Sequence, residues 1–428
     1  MTRSDLDTKG RPVVVVTGMG VLTSLGEGKT ENWRKLTAGT SGIRRISRFP
    51  IAGLRTTIAG TIDFVPTEDP SSPQLTETIA QRAADEAIDE AGIDGDFPGP
   101  MFLAMPPVEM EWPQRLALAE ASGANETVTY ADLLRAAGSG AFEHWYRRFL
   151  FGSLAEHLAD RYGTIGSPIS TSTACASGAT AIQLGIEAIR RGEAEAALAI
   201  GADASVNPES LVRFSLLSAL STRNDPPEAA ARPFSRDRDG FIMAEGAGAL
   251  VLESLAHARA RGATVLGVIE GCGEATDSFH RTRSAPDGKP IIACMRHALA
   301  DAGLAPDAIG PDAIGYVNAH GTGTPENDKM EWLGLSAVFG DRAGRIPVSS
   351  NKSMIGHTLS AAGAVEAIFT LLSLRNGVLP PTINYDTPDP ALPLDCVPNV
   401  AREARVAHAI SNSFGFGGQN VCLVLGAP

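Results

Sequence analysis

Thr171-Ser172-Thr173-Ala174-Cys175-Ala176-Ser177-Gly178 is a run of small residues that leaves an extended segment and enters a helical pattern over 179–192, where Ile182, Ile186 and Ile189 share one face. Beyond that helix, 196–200 reads as a buried strand, since an unbroken run of small and apolar residues lacks the alternation of a half-exposed strand. Strand, elbow, helix and buried strand in succession define an α/β layered fold. Upstream, 13–16 reads as a strand ending in a glycine turn at Thr17-Gly18-Met19-Gly20, and 76–91 as a helix closed by Gly92. A second series begins near Ala263, with strands at 265–269, 313–318, 346–350 and 421–425, a helix at about 291–302 and a small-residue helix from Ser360. Residues 1–262 and 263–428 are therefore expected to form two comparable α/β halves. With no low-complexity linker between them, the halves are expected to pack face to face. Residues 104–151 interrupt the pattern, reading as largely helical with aromatic residues at Trp112 and at Phe142, Trp145, Tyr146 and Phe149, a cap or a subunit interface.

Composition narrows the class. The 428 residues carry 36 basic and 49 acidic side chains, a net charge of −13, which opposes binding to nucleic acid or to an anionic membrane. The longest apolar runs are strand-sized, so no transmembrane helix is expected, and the polar N-terminus is unlike a secretion signal. The five cysteines are an odd number without CxxC spacing, which disfavours a disulfide framework or a zinc cluster and fits a reducing cytoplasm.

Among those cysteines, only Cys175 sits between an extended segment and a helix start, where free N–H groups and partial positive charge favour a thiolate. Cys272, Cys294, Cys396 and Cys422 read as buried small hydrophobes. His320 opens His320-Gly321-Thr322-Gly323-Thr324-Pro325, and His357 closes Asn351-Lys352-Ser353-Met354-Ile355-Gly356-His357. Flanking glycines allow close backbone approach to both, whereas His144, His157, His257, His280, His297 and His408 read as structural. Lys352 lies among small apolar residues and, if buried, needs an acid, for which Glu366 is the nearest candidate. In Asn412-Ser413-Phe414-Gly415-Phe416-Gly417-Gly418-Gln419-Asn420, a ring between glycines at Phe416 offers a gate, and freed backbone N–H groups offer an oxyanion site.

These four motifs in this order resemble the β-ketoacyl-[acyl carrier protein] synthases of the type I/II branch, within the thiolase-fold condensing enzymes. The resemblance extends from Val14 to Leu425 and includes Ser221-Thr222-Arg223-Asn224-Asp225, Arg232-Pro233-Phe234 and Arg238-Asp239-Gly240-Phe241. It implies two similar βαβαβ-type halves stacked as a five-layered αβαβα sandwich, in a homodimer. It implies a fatty acyl chain lengthened by two carbons without metal or organic cofactor, both substrates arriving on the phosphopantetheine of acyl carrier protein. By motif, Cys175 resembles the acyl-accepting nucleophile, and His320 and His357 the pair that binds the malonyl thioester carbonyl and promotes decarboxylation. Lys352 resembles their electrostatic support, with Glu366 as its partner. Phe416 resembles the gating residue, and its backbone N–H, with that of Cys175, the oxyanion hole. Thr322 and Thr324 resemble residues that hold the phosphopantetheine arm, Phe241 one lining the malonyl carboxylate site, and Asp328 a structural acid of the 320–328 loop.

Two stretches depart from the family, near Asp69 to Gln74 and from Met101 to Phe151. Met101-Phe102-Leu103-Ala104-Met105-Pro106-Pro107 stands where a Gly-rich stretch is common, ahead of a segment that shapes the acyl pocket, and Ser71-Ser72-Pro73-Gln74 stands where many relatives have a basic run that meets the carrier protein. Together they point to a dedicated pathway with a specialised carrier and an unusual acyl chain, such as a very long one. Thiolases and starter-type enzymes acting on coenzyme A resemble the fold, but the starter type pairs its cysteine with one His and one Asn. An aromatic-polyketide ketosynthase shares every motif. A non-catalytic partner of the chain-length-factor type lacks the nucleophile that this chain retains at Cys175.

Overall fold

A computed structural model describes residues 4–67, 71–123, 127–308 and 313–428. Asp69, where the first departing stretch begins, lies outside the described residues. Ten strands carry the architecture. β1 (Val14–Thr23), β2 (Met101–Ala104), β3 (Ile169–Thr171), β4 (Ala196–Asp203) and β5 (Gly246–Ser254) precede β6 (Gly267–Thr276), β7 (Ile314–Asn318), β8 (Pro347–Ser349), β9 (His408–Phe414) and β10 (Gln419–Gly426). In space the first five lie in the order β3-β2-β4-β5-β1 and the second five in the order β8-β7-β9-β10-β6, the same permutation of chain order. In each set the first three strands run parallel and the last two pair antiparallel. β1 and β6 pair antiparallel, Val14 opposite Ile269, and join the two sets.

The helices make this a five-layered αβαβα sandwich, as the resemblance implied. α1 (Ser72–Ala91) and α2 (Ser153–Tyr162) cover the outer face of the first set, while α3 (Ser177–Arg190) lies on its inner face. α4 (Pro208–Leu216) follows β4, α5 (Lys289–Ala302) and α6 (Pro325–Phe339) cover the outer face of the second set, and α7 (Ala362–Asn376) packs against α3 in the middle layer. Every residue of β1, β4 and β5 is buried, which explains their unbroken apolar sequence. In α7 every residue from Ala362 to Leu374 is buried, the signature of a central helix that is apolar all round. No helix among the described residues is long and apolar enough to cross a membrane.

One expectation is corrected. The chain does not turn at Thr17-Gly18-Met19-Gly20; β1 continues to Thr23, with an irregularity between Val16 and Gly18. The glycines are there for close helix packing, because a β-carbon on Gly18 or Gly20 would overlap the carbonyl oxygen of Ala87 or Ala83 in α1. α3 and α7 cross equally closely. A β-carbon on Gly178 would sit 2.6 Å from the Ala364 nitrogen, and one on Gly363 2.8 Å from the Ala179 β-carbon. This contact brings the N-termini of both central helices together beside Cys175.

Candidate active site

In parallel α/β sheets, functional groups gather beyond the carboxyl ends of strands, and the loops of interest here follow those ends. Cys175 follows β3, His320 follows β7, Lys352 and His357 follow β8, and Phe416 follows β9. The structure brings all five together across the two halves. Cys175 occupies a single turn, Ala174–Ala176, and Ala174 adopts a left-handed φ of 50°, a strained conformation for a residue with a side chain. Ser177 fastens this elbow, its hydroxyl accepting from the Thr173 N–H at 2.8 Å and donating to the Ala174 carbonyl at 2.6 Å.

The Cys175 sulfur lies 3.1 Å from Nε2 of His357, and the backbone N–H of Phe416 faces it. Nδ1 of His357 accepts the N–H of Leu359 at 3.2 Å, so the neutral ring carries its proton on Nε2, facing the sulfur. Leu359 itself has a left-handed φ of 45°, the geometry that aims this N–H. His320 packs edge-on against His357 with ring centroids 5.3 Å apart, and its Nδ1 lies 3.4 Å from Nζ of Lys352. An ammonium group only donates, so Nδ1 accepts and the His320 proton also sits on Nε2. Lys352 is buried and pairs with buried Glu366. Phe241 stands 5.2 Å from the His357 ring, centroid to centroid, and is backed by Phe214 at 5.4 Å.

Burial dominates the electrostatics. It pushes the Cys175 thiol up to about 11, against the pull of Lys352 and the Phe416 N–H. The helix-start setting read from sequence therefore does not by itself yield a thiolate. Burial, followed by the Lys352 charge, holds His320 and His357 well below the usual imidazole range, so both rings are neutral. Glu366 is raised to about 7 by burial, with Lys352 opposing. The sulfur and the two imidazoles lie within 4.8 Å of one another, a spacing that suits a soft metal ion, but the Lys352 ammonium beside His320 works against a second cation.

The supporting residues are less legible. Asp328 is buried and receives the N–H groups of Phe234 at 2.7 Å and Gly323 at 3.1 Å, tying the 320–324 loop to the Arg232-Pro233-Phe234 motif. Thr322 and Thr324 share a 2.9 Å hydroxyl contact, and Thr324 caps α6 through the Asn327 N–H. Sequence reasoning missed Glu331, whose carboxylate takes the N–H groups of His320 and Gly321 at 2.9 and 2.8 Å and so fixes the ring's backbone. It sits on a buried face of α6 with no local motif to mark it. It also missed Asp203, which receives the Ser360 N–H at 3.0 Å beside the site; an acid closing the apolar run of β4 at its carboxyl end was the available signal. Elsewhere, His257 pairs with Glu253, His157 with Glu77 and His297 with the Glu274 carbonyl, all remote from the cluster.

A cavity of about 530 Å³ opens from Cys175. Phe214, Leu359 and Phe416 line its inner end, and its wall includes Pro73 together with Met105, Pro106 and Pro107, from the two departing stretches. Thr322 and Thr324 do not line it.

This fold and this cluster are those of a ketosynthase. Residues 11–258 match the β-ketoacyl synthase N-terminal domain and residues 266–386 the C-terminal domain, and the chain belongs to the β-ketoacyl synthase family. It is 37% identical to 3-oxoacyl-[acyl-carrier-protein] synthase 2 of Coxiella burnetii, over 96% of this chain and 98% of that one. It is 36% identical to the tetracenomycin polyketide synthase ketoacyl synthase alpha subunit of Streptomyces glaucescens, over 97% of each. Among solved structures, it resembles a ketosynthase bound to the hexaketide and in complex with its type II polyketide acyl-carrier protein, with a TM-score of 0.86 at 33% identity, covering 98% of this chain and 100% of that one. A β-ketoacyl synthase from Burkholderia phymatum matches with a TM-score of 0.82 at 34% identity, covering 97% and 99%.

Proposed function

We propose that this chain is a 3-oxoacyl-[acyl carrier protein] synthase, an acyltransferase that joins an acyl thioester carried on Cys175 to malonyl-carrier protein with loss of CO₂. The observation that carries the reading is that two neutral imidazoles, His320 and His357, present Nε2–H donors side by side within reach of the Cys175 sulfur. Nothing in simple acyl transfer calls for two such donors, whereas an enolate oxygen does.

In the first half-reaction the Cys175 sulfur attacks the acyl thioester, and its thiol proton passes to the carrier's phosphopantetheine sulfur, which leaves as the thiol. His357 already carries hydrogen on Nε2, so it steadies the sulfur's negative charge as a donor and is not the base. The N–H groups of Cys175 and Phe416 receive the oxyanion. Malonyl-carrier protein then enters, its phosphopantetheine arm held by Thr322 and Thr324 and its carboxylate beside Phe241. The C–C bond to CO₂ breaks, and the electron pair flows into an enolate whose oxygen accepts from His320 and His357. Lys352, held by Glu366, keeps Nδ1 of His320 occupied and its Nε2 protonated. The enolate carbon attacks the acyl carbonyl, Cys175 departs as thiolate, and 3-oxoacyl-carrier protein leaves. Loss of CO₂ supplies the driving force, and no metal or organic cofactor takes part.

The chain acts in the cytoplasm as a homodimer, divided into halves at 262/263. The dimer reading is supported by the exposed apolar side chains Trp112, Leu116, Tyr130, Tyr146 and Phe151 of the 104–151 segment. The pathway is a dedicated one with its own carrier and acyl chain. A second reading, an aromatic-polyketide ketosynthase, is favoured by the near-equal similarity to relatives of both kinds. Cys175→Gln separates the steps. The variant should lose condensation while malonyl decarboxylation remains measurable, and full condensation by Cys175→Ala would overturn the mechanism.

A further inference from the structure

The cavity that begins at Cys175 ends in charge. α4 lines it on one side with Phe214 toward the thiol and Glu209 farther out, about 7 to 8 Å along the helix axis at its rise per residue. Around that end stand Glu109, Glu111, Glu209, Arg115 and Arg213. Both arginines belong to Glu109, which Arg213 holds in two hydrogen bonds of 2.9 and 2.5 Å and which Arg115 approaches to 3.7 Å. Glu111 and Glu209 have no cation of their own in direct contact. Helix N-termini face them instead, the Ser72 N–H of α1 donating to Glu111 at 2.9 Å and the Trp112 N–H donating to Oε1 of Glu209. Asn207 adds a hydrogen bond to Glu111 at 3.3 Å. Glu209 is only 8% exposed, and its Oε2 accepts no hydrogen bond from any described residue. An unsubstituted alkyl chain reaching this point would strip water from two carboxyl groups and return nothing to their open lone pairs.

We propose that the acyl chain accepted on Cys175 carries a hydrogen-bond donor, a hydroxyl or an amine, beyond its first several carbons, and that Glu209 and Glu111 receive it. The inference rests on the proposed acylation of Cys175 and adds the substrate class. The residues involved come from or contact the two stretches in which this chain departs from its relatives, 69–74 and 101–151, which is where a difference in acyl preference would be written.

The test is acylation of Cys175 by pantetheine thioesters, followed by intact-protein mass, with nonanoyl, ω-hydroxyoctanoyl and ω-amino-octanoyl groups competing and the series repeated from hexanoyl to dodecanoyl. We expect the donor-bearing chains to be favoured roughly 10-fold to 100-fold at the matching length, the ratio that the cost of leaving one buried acceptor unsatisfied corresponds to. Preference for the amine identifies a cationic ligand and preference for the hydroxyl a neutral one, and either supports the proposal. Glu209→Gln and Glu111→Gln keep an acceptor for the helix N–H groups and should lower the ratio toward one. A role confined to capping α1 and the helix at Trp112–Ala121 would instead lower thermal stability and leave the ratio unchanged, which overturns the proposal. Equal or better acylation by nonanoyl in the wild type overturns it without any variant, and the condensation reading survives. If no thioester modifies Cys175, that reading falls and this one with it.

Discussion

Lys352 and Glu366 are buried together at 2% and 1% side-chain exposure, so replacing one or both separates the fold's requirement from the chemistry. Lys352→Met leaves Glu366 without its cation, and Glu366→Gln leaves an ammonium in an apolar layer. Removing one partner of such a pair costs about 3 to 5 kcal/mol, whereas replacing both by neutral groups of similar volume is commonly near neutral. Lost stability of about 3 kcal/mol corresponds to a fall in Tm of about 6 °C at the scale of large domains. The double variant should recover most of that fall. The deficit of Lys352→Met should also depend on pH. Burial already raises Glu366 to about 7 from an ordinary value near 4.5, so the folded state holds a proton that the unfolded chain releases, and stability drops as pH rises between those values. Without Lys352 the rise is larger, so the deficit grows from pH 6 to pH 8. Activity should not follow stability. Without Lys352, Nδ1 of His320 loses its donor and the Nε2–H tautomer is no longer enforced. Malonyl decarboxylation should fall by about 10²- to 10³-fold, the worth of one oxyanion donor, in Lys352→Met and in the double variant alike. Differential scanning calorimetry with a CO₂-release assay reads both effects. A double variant whose Tm loss equals the sum of the single losses, or whose decarboxylation is restored, would refute this account.

Two further outcomes follow from burial and packing. With the Cys175 thiol pushed up to about 11, alkylation by iodoacetamide should rise about tenfold per pH unit from pH 7 to pH 10, and Lys352→Met, which removes a charge favouring the thiolate, should slow it; a plateau by pH 8 would contradict the burial argument. Gly178→Ala should lower Tm well beyond Gly262→Ala, because the former drives a β-carbon to 2.6 Å from the Ala364 nitrogen while the latter meets open space and bears only the left-handed penalty of about 1 to 2 kcal/mol. Equal losses would mean that the contact between α3 and α7 is not rigid.

The misread turn at Thr17-Gly18-Met19-Gly20 shows what a single strand's sequence leaves open. A glycine pair signals either a bend or a surface on which a helix backbone lies, and both erase the side chain. The second half resolves it. Gly271 and Gly273 occupy the same strand position on β6 as Gly18 and Gly20 on β1, and β-carbons there would overlap backbone atoms of Ala298 in α5. A feature present on the first strand of both sets belongs to the packing of the layers, so the duplicated topology carried information that neither strand held alone. The site divides the same way. Cys175, His320 and His357 were legible because each sits in a turn whose glycines and hydroxyls are unusual within a few residues of sequence. Glu331 was not, because its role is to receive two N–H groups eleven and ten residues away on another element, and burial of the thiol was not, because the covering groups come from Leu359 and Phe416 in the opposite half. The sulfur stands on one half and both imidazoles on the other, so neither half holds a complete site. The close crossing of α3 and α7 at Gly178 and Gly363 thereby sets the distance from Cys175 to His357, and a change there should reach the chemistry without touching a catalytic side chain.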